Sequence, residues 1–457
     1  MPIYYCNKCD CETETTSPWV SCSQCKSKQF LVVISREKQA LNTSRREAAE
    51  REANRLKEVA EANREHNKLQ PIGQLPDHLL EMIFDFFDER ALALLTLVCH
   101  RWPPIIELIR QRYIPMIRAY GSTSGTLKDV LIGQAGLLRD KTSLQMAVDQ
   151  FPYPASYKGS ILKFILDTKM KVRLSLGTED SRTIAILSKK ENQAKLVRGF
   201  DKMHNKIWIL DGKEIILGSP NVSFSGLEGG NLESFILIKS ARLGALFGRY
   251  LKMLNDSTKA SGVPRELFNE VRRDLGIYNS EPHGLKVALA PIINITDFVV
   301  EQLSGATKIT VRQFLISHKH WKDRTDSYDI VDALADMARS GVDIDIVIDE
   351  GSFDKQPFVR QAARTLYKAG CNVYVQQPVA TVATRETLMH DKLILAEMSG
   401  GVKRTLIGSA GFTTSVIENT NAESFVSIDF DHVFEDLMKH HRRADELYPM
   451  KQITWTA

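Results

Sequence analysis

One stretch of this chain occurs twice, and this internal repeat constrains the fold more than any other feature. The first copy runs His204-Asn-Lys206-Ile-Trp-Ile-Leu-Asp211, then Gly218-Ser219-Pro-Asn221, then Asn231-Leu-Glu233-Ser-Phe. The second copy runs His390-Asp-Lys392-Leu-Ile-Leu-Ala-Glu397, then Gly408-Ser409-Ala-Gly411, then Asn421-Ala-Glu423-Ser-Phe. Two copies of one pattern indicate two structural units of one kind, and the polar residues common to both indicate one composite site.

The order of residues within each copy has a chemical logic. A histidine and a lysine two positions apart on a β-strand face the same side, and the Gly-Ser that follows lets backbone approach a ligand closely. The later glutamate, Glu233 or Glu423, can accept a bond from one imidazole nitrogen and leave the other free to react. The lysines supply positive charge, and Asn221 and the serines supply donors, for the charge on phosphoryl oxygens. The pattern therefore predicts phosphodiester chemistry.

The two copies are not equivalent. Glu397 stands in the place of Asp211, Gly411 in the place of Asn221, and the stretch before Gly408 is ten residues rather than six. The missing asparagine predicts an asymmetric phosphate pocket or a weakened site. There are two alternatives. The chain could carry a degenerate, inactive form of such a site, or the histidine and lysine could belong to an ordinary sheet.

Residues 204–235 resemble the His-x-Lys-x4-Asp motif of the phospholipase D superfamily, including its Gly-Ser-x-Asn element and trailing glutamate. The second copy resembles it more loosely, and the resemblance covers about residues 122–450. It implies that His204 attacks phosphorus to give a phosphohistidine, that His390 protonates the leaving group, and that no catalytic metal takes part. The resemblance implies that Asp211 and Glu397 have a mainly structural role, and we assign Ser219 and Ser409 to phosphate binding or support. The catalytic set that it implies is His204, Lys206, Asn221, Glu233, His390, Lys392 and Glu423.

The catalytic region is predicted to be α/β, with two pseudo-repeated lobes of mixed sheets covered by helices. We place lobe 1 at residues 121–278 and lobe 2 at residues 279–457, with the junction at Gly276–Gly284. Because one chain carries both half-sites, a monomer is expected to be catalytically sufficient.

Cysteines are concentrated at the N-terminus. Cys6-x2-Cys9 and Cys22-x2-Cys25 are separated by 12 residues, a spacing that resembles a zinc ribbon with four thiolates around a structural zinc ion. We therefore predict a small zinc ribbon over residues 1–34, with redox or disulfide cysteines as the alternative.

Residues 35–70 are rich in Arg, Glu, Lys and Ala and contain neither Gly nor Pro. This composition predicts a charged helical linker. Its apolar stripe is thin, which favours a solvated spacer over a dimeric coiled coil.

A compact helical segment follows, within a domain predicted at residues 71–120. Residues 71–112 resemble an F-box in the Leu75-Pro76 pair near the start and in Leu97-Val-Cys-His-Arg-Trp102 near the end. The resemblance implies docking on a Skp-type adaptor and hence a cullin–RING ubiquitin ligase; a small helical core is the alternative.

Composition narrows the function. The net charge is +4, hydrophobic residues make up 43% of the chain, and no apolar run approaches the roughly 18 residues of a membrane span. Without a secretory signal at the start, the chain is expected to be intracellular, nuclear and/or cytoplasmic. A nuclease acting on DNA or RNA fits these features best, with His318-Lys-His-Trp-Lys322 as a candidate phosphate-tracking groove or an exposed loop. A lipid hydrolase and a catalytically weak F-box receptor are the alternatives.

Overall fold

The structure is a computed structural model of two compact units, Met1–Pro103 and Pro104–Ala457. It describes residues 115–455 except 124–125, 134–136, 150, 152–159, 168–169, 178–180, 188–192, 198–199, 228–229, 258–261, 282, 319–328 and 377–387. In the first unit it describes the backbone of three short strands.

These strands are β1 (Ile3–Cys6), β2 (Cys11–Glu14) and β3 (Val32–Val33), arranged antiparallel in the order β2-β1-β3. Cys6 lies opposite Cys11 in the register of β1 and β2. Cys9, Cys22 and Cys25 lie outside the described residues, as do the predicted linker and F-box, so the zinc ribbon, linker and F-box stay predictions.

The second unit begins with lobe 1. Its strands are β4 (Met116–Gly121), β5 (Ser143–Val148), β6 (Lys171–Leu176), β7 (Gln193–Leu196), β8 (Lys206–Leu210), β9 (Glu214–Gly218) and β10 (Ser234–Lys239). Its helices are α1 (Leu127–Ile132), α2 (Ile161–Asp167), α3 (Ser181–Leu187), α4 (Phe224–Leu227), α5 (Ala241–Asp256) and α6 (Arg265–Asn279).

Lobe 2 follows directly. Its strands are β11 (Leu285–Leu289), β12 (Ala306–Gln313), β13 (Asp343–Asp349), β14 (Asn372–Gln376), β15 (Lys392–Met398), β16 (Lys403–Gly408), β17 (Ser424–Ile428) and β18 (Lys451–Gln452). Its helices are α7 (Ile295–Leu303), α8 (Ile330–Arg339), α9 (Glu350–Lys355), α10 (Pro357–Lys368), α11 (Thr414–Ile417) and α12 (Asp431–Leu447).

The two sheets share one topology. The strand order is β4-β10-β9-β8-β5-β6-β7 in lobe 1 and β11-β17-β16-β15-β12-β13-β14 in lobe 2, where β18 adds an edge. In each sheet the three strands on the β5 or β12 side run parallel, and the other pairs are antiparallel. The predicted pair of repeated α/β lobes with mixed sheets is confirmed.

One hydrophobic core joins the lobes. Ile207 and Ile209 of β8 pack in the same cluster as Leu393 and Leu395 of β15, and all five residues of β8 are buried. Helix α12 of lobe 2 also packs on β4 of lobe 1, where His432 Nε2 lies 3.0 Å from the carbonyl oxygen of Ile117. The apolar runs that carry the lysines are therefore covered on both faces, which fixes the strands that position the site.

Two boundaries differ from the expectation. Strand β4 begins at Met116, so lobe 1 starts before residue 121. Gly276 lies inside α6, which ends at Asn279, so the connection between the lobes is confined to residues 280–284. The Asn279 side chain bonds both the amide and the carbonyl of Val287, at 2.8 and 2.7 Å, and thereby fixes the end of α6 to β11.

Candidate active site

Both histidines immediately precede a central strand, His204 before β8 and His390 before β15. The backbone amide of His204 donates to the carbonyl of Ala422 at 2.9 Å, and the amide of His390 donates to the carbonyl of Leu232 at 2.9 Å. These bonds join each histidine loop to the Asn-x-Glu segment of the other repeat. The two half-sites consequently lie in one centre, as the repeat predicted.

Each histidine is held by the glutamate of the opposite lobe. His204 Nδ1 lies 2.9 Å from Oε1 of Glu423, and His390 Nδ1 lies 3.0 Å from both carboxylate oxygens of Glu233. The sequence predicted a histidine–glutamate bond but gave no signal of this crossing. A glutamate on Nδ1 places the proton there and leaves Nε2 of the neutral ring with its lone pair.

Each lysine side chain folds back onto the histidine two residues before it. Lys206 Nζ donates to the carbonyl of His204 at 2.9 Å, and Lys392 Nζ donates to the carbonyl of His390 at 2.8 Å. Lys392 Nζ also lies 3.2 Å from Nε2 of His390. Both lysine side chains are buried, so two positive charges converge where water is largely excluded.

Burial governs the electrostatics of this centre. It lowers the pKa of Lys206 to about 8, and together with the charge of Lys206 it lowers the pKa of Lys392 to about 7. Burial, opposed by Glu233, lowers the pKa of His390 to about 4. Burial alone would raise the pKa of Glu423, but the adjacent His204 holds it at about 2. Burial therefore disfavours the charged forms of the lysines and of the His390 imidazole, and a bound anion would favour those charged forms.

The two Gly-Ser elements pack closely against β10 and β17, the strands that directly follow Glu233 and Glu423. A Cβ added at Gly218 would lie 2.4 Å from the carbonyl oxygen of Ser234, and one at Gly408 would lie 2.1 Å from that of Ser424. The next residue along, Ser219 or Ser409, donates its amide to the same carbonyl at 2.9 Å.

Both serine side chains are fully buried. The Ser409 hydroxyl donates to Glu423, and the Ser219 hydroxyl lies 3.2 Å from the Ser234 carbonyl oxygen and also interacts with Glu233. In this geometry the two serines fix the starts of β10 and β17, the strands that directly follow Glu233 and Glu423.

The remaining predicted residues separate into two groups. Asn221 is half-buried, and its Oδ1 has no hydrogen-bond partner within the described part of the chain. At the matching Gly411, an added Cβ would find its nearest atom at 3.7 Å, so the asymmetry reflects a missing side chain and not a closed space.

Asp211 and Glu397 lie away from the histidines. Each follows its lysine by five strand residues, roughly 16 Å along the chain. Asp211 Oδ1 accepts from the amides of Thr142 and Ser143, both at 2.9 Å, whereas Glu397 is exposed. Asp211 is placed to stabilise the β8–β9 turn, and Glu397 contacts solvent.

Sequence reasoning missed Phe314, which follows β12. Its ring centroid lies 5.0 Å from that of the His390 imidazole, and Lys392 Nζ lies 5.5 Å from it. Because Gln313 pairs with Lys392 and Val148 pairs with Lys206, the matching position in lobe 1 is Asp149. The signal was present as an aromatic residue directly after a strand, but its partner was far away in sequence.

His318 is not a groove residue. It is buried, with Nδ1 3.2 Å from Asp329 and Nε2 3.1 Å from Thr365. The predicted exposed cluster is therefore wrong at His318, and residues 319–322 lie outside the described chain.

Comparison with known proteins identifies the architecture. The family described as "Cardiolipin synthase, PLD-like domain" matches residues 299–444. The solved structure of phosphatidylserine synthase from Haemophilus influenzae is similar with a TM-score of 0.50 at 12% identity, over 76% of this chain and 91% of that one. No curated protein matches the chain. The chain thus contains a PLD-like domain and has a PLD-like fold.

Two further solved structures are more distant. Polyphosphate kinase from Porphyromonas gingivalis has a TM-score of 0.48 at 11% identity over 74% of this chain, which spans 48% of that protein's length. Nuc, a phospholipase D family member from Salmonella typhimurium, has a TM-score of 0.29 at 20% identity, over 37% of this chain and 98% of its own. Among the described residues, no helix has the length and apolarity that crossing a membrane requires.

Proposed function

We propose that this protein is a phosphodiesterase that works through a phosphohistidine on His204, with His390 as general acid and base. One observation carries the proposal: two histidines, each fixed by a glutamate of the opposite lobe, share one buried centre with two lysines. Nucleophile, proton donor and positive charge are the three parts that displacement at phosphorus needs.

The reaction proceeds in two displacements. His204 Nε2 forms a bond to phosphorus while the bond from phosphorus to the leaving oxygen breaks, and His390 Nε2–H gives its proton to that oxygen. Water then attacks phosphorus, His390 takes the proton from water, and the bond between phosphorus and His204 breaks. Neither displacement draws on a metal ion, because the lysines supply the positive charge.

Substrate charge sets the protonation states. The negative phosphodiester raises the pKa of His390 from about 4, which makes it an acid when substrate is bound. The same charge restores full protonation of Lys206 and Lys392. Glu423 remains ionised and stabilises the positive charge that His204 acquires on attack.

We propose nucleic acid as the substrate. The zinc-ribbon spacing at the N-terminus and the net charge of +4 support an anionic polymer. Phosphatidyl transfer is the second candidate. The description of the matched family names cardiolipin synthase, and the Haemophilus structure is that of a phosphatidylserine synthase.

The test is a substrate panel with the full-length protein. Labelled single- and double-stranded DNA and RNA are incubated beside phosphatidylcholine and phosphatidylglycerol vesicles, with and without EDTA. Nucleic-acid cleavage that survives EDTA is expected, and His204→Ala and His390→Ala should each reduce it by several orders of magnitude. Cleavage of lipid alone would establish the second candidate, and normal turnover by His390→Ala would refute the two-histidine mechanism.

We also propose that the F-box-like segment recruits a Skp-type adaptor and, through it, a cullin–RING ligase. Its support is the resemblance of residues 71–112. Co-precipitation from eukaryotic cells should recover adaptor and cullin with the wild type, and less with Leu75→Ala/Pro76→Ala, while cleavage in vitro stays unchanged. Failure of the wild type to recover either partner would remove the proposal.

A further inference from the structure

A second group of buried polar side chains lies in lobe 2, outside the mechanism. This buried cluster consists of Asp391, His440 and His441, which are 0%, 4% and 4% exposed. One ligand atom from each lies within 4.8 Å of the others, and His441 Nδ1 is 3.8 Å from Asp391 Oδ2. Asp391 belongs to the loop before β15, whereas both histidines belong to α12.

Most of the side-chain polar atoms of this cluster lack a hydrogen-bond partner among the described residues. Within the described chain, both oxygens of Asp391, both ring nitrogens of His441 and Nε2 of His440 have no partner. The Ser234 hydroxyl faces Asp391 without forming a bond of normal geometry. Buried polar atoms in this number are costly unless a ligand satisfies them.

One buried cation, Arg312, lies beside the cluster. Its Nη1 bonds Asp445 at 3.1 Å, and its Nε forms a longer ion pair with Asp391 Oδ2 at 3.8 Å. Its Nη2 donates to Gln376. One guanidinium thus pairs with two carboxylates and makes its shorter contact with Asp445, so it neutralises Asp391 only in part.

Lobe 1 shows that the fold does not require these residues. Asn205 follows His204 as Asp391 follows His390, and Tyr250 lies seventeen residues after Glu233 as His440 lies seventeen after Glu423. Asn205 donates to the Tyr250 hydroxyl at 3.1 Å, and that hydroxyl donates to a backbone carbonyl at 2.7 Å. The residue matching His441 is Leu251. At these positions lobe 1 therefore has the neutral, hydrogen-bonded pair of Asn205 and Tyr250, whereas lobe 2 has a carboxylate and two imidazoles.

We propose that Asp391, His440 and His441 bind a divalent transition-metal ion, with Zn²⁺ as the best match. Two imidazole nitrogens and one carboxylate oxygen are a donor set that zinc takes. Bonds of about 2.0–2.1 Å put tetrahedral ligand atoms about 3.3 Å apart, so binding requires the three side chains to approach by no more than about 1.5 Å.

The surroundings suit such an ion. His440 Nδ1 is bonded to the hydroxyl of Thr123, which directs Nε2 toward the cluster as outer partners of metal-bound histidines do. An ion here would fix α12 to the strand of the catalytic Lys392. It would be structural, since it does not contact the phosphate.

The test measures metal content of the full-length protein by mass spectrometry after purification from zinc-supplemented cells. The key variant is Asp391→Asn/His440→Tyr/His441→Leu, which installs the residues of lobe 1. Each protein is also made with Cys6→Ser/Cys9→Ser, which removes the predicted N-terminal zinc. His432→Gln, on the same helix outside the cluster, is the matched control.

Each variant is compared with the parent protein that has the same residues at positions 6 and 9. The triple variant should contain one metal ion per chain fewer than that parent, whereas His432→Gln should contain the same number. Equal metal in folded wild type and folded triple variant would overturn the proposal, because water would then fill the cluster.

Should the triple variant fail to fold, cobalt(II) binding to the Cys6→Ser/Cys9→Ser protein decides. Tetrahedral d–d bands without thiolate charge transfer are expected, and their absence refutes the site.

Discussion

The crossed pairing predicts that each glutamate acts on the chemical step of the histidine in the other repeat. Glu423→Gln keeps the shape of the side chain but replaces the charged acceptor of the His204 Nδ1 bond, which is 2.9 Å long. A hydrogen bond to a charged group contributes about 1.5–3 kcal/mol. At 1.36 kcal/mol for each tenfold change, attack by His204 should slow by about 10- to 150-fold.

The assay separates the two steps by the choice of leaving group. A diester of p-nitrophenol needs no protonation to depart, so its rapid burst reports phosphohistidine formation on His204 alone. The later steady state reports hydrolysis, which requires His390 to accept a proton from water.

Glu423→Gln should lower the burst rate, and Glu233→Gln should leave the burst rate near wild type while slowing the steady state by a similar factor. Glu397→Gln is the matched control, because that carboxylate is exposed at the far end of β15. A Glu233→Gln burst as slow as that of Glu423→Gln would refute the crossed assignment.

Three further perturbations test the surroundings of the site. Gly218→Ala places a Cβ 2.4 Å from a carbonyl oxygen and should cost about 1–3 kcal/mol in urea unfolding, whereas Gly411→Ala has room and should be neutral. Phe314→Leu should admit water to His390 and raise its pKa from about 4, moving the acid limb of the kcat/KM profile upward; Phe314→Trp should restore it. Because folded His390 titrates near 4 and unfolded histidine near 6.5, the unfolded state binds more protons between these values. Stability should therefore fall as pH drops from about 6.5 to about 4, and His390→Gln should lessen the fall.

Much of the fold could be predicted because the sequence repeats its own local signals. Strand β8 reads Lys206-Ile-Trp-Ile-Leu210, an apolar run that buried strands require, and its copy β15 agrees with it. The alternation of strands and helices in lobe 2 gave the α/β class for the same reason. The sequence does not predict helix α6, because a glycine such as Gly276 is typical of a linker; in the structure Gly276 lies on this helix, where an added Cβ would meet no atom within 4 Å.

The site was less predictable, because its decisive contacts are long-range. His204 and Glu423 are 219 residues apart, and no local pattern distinguishes that pairing from one between His204 and Glu233. The alternation of residues along a strand determines which side chains face the same side. Which glutamate pairs with which histidine depends on how the loops of the two lobes meet. The bonds of His204 to Ala422 and of His390 to Leu232 make that choice.

The same geometry supports unequal roles for two histidines that the repeat makes formally alike. Lys392 Nζ lies 3.2 Å from Nε2 of His390 and Phe314 covers that ring, so its lone pair is engaged and shielded. Lys206 instead bonds only the carbonyl of His204 among the described contacts, and the His204 side chain is 16% exposed against 8% for His390. A nucleophile needs an accessible lone pair, whereas a proton donor needs a partner that tunes its pKa. The surroundings of the two rings therefore favour the proposed roles, His204 as nucleophile and His390 as acid.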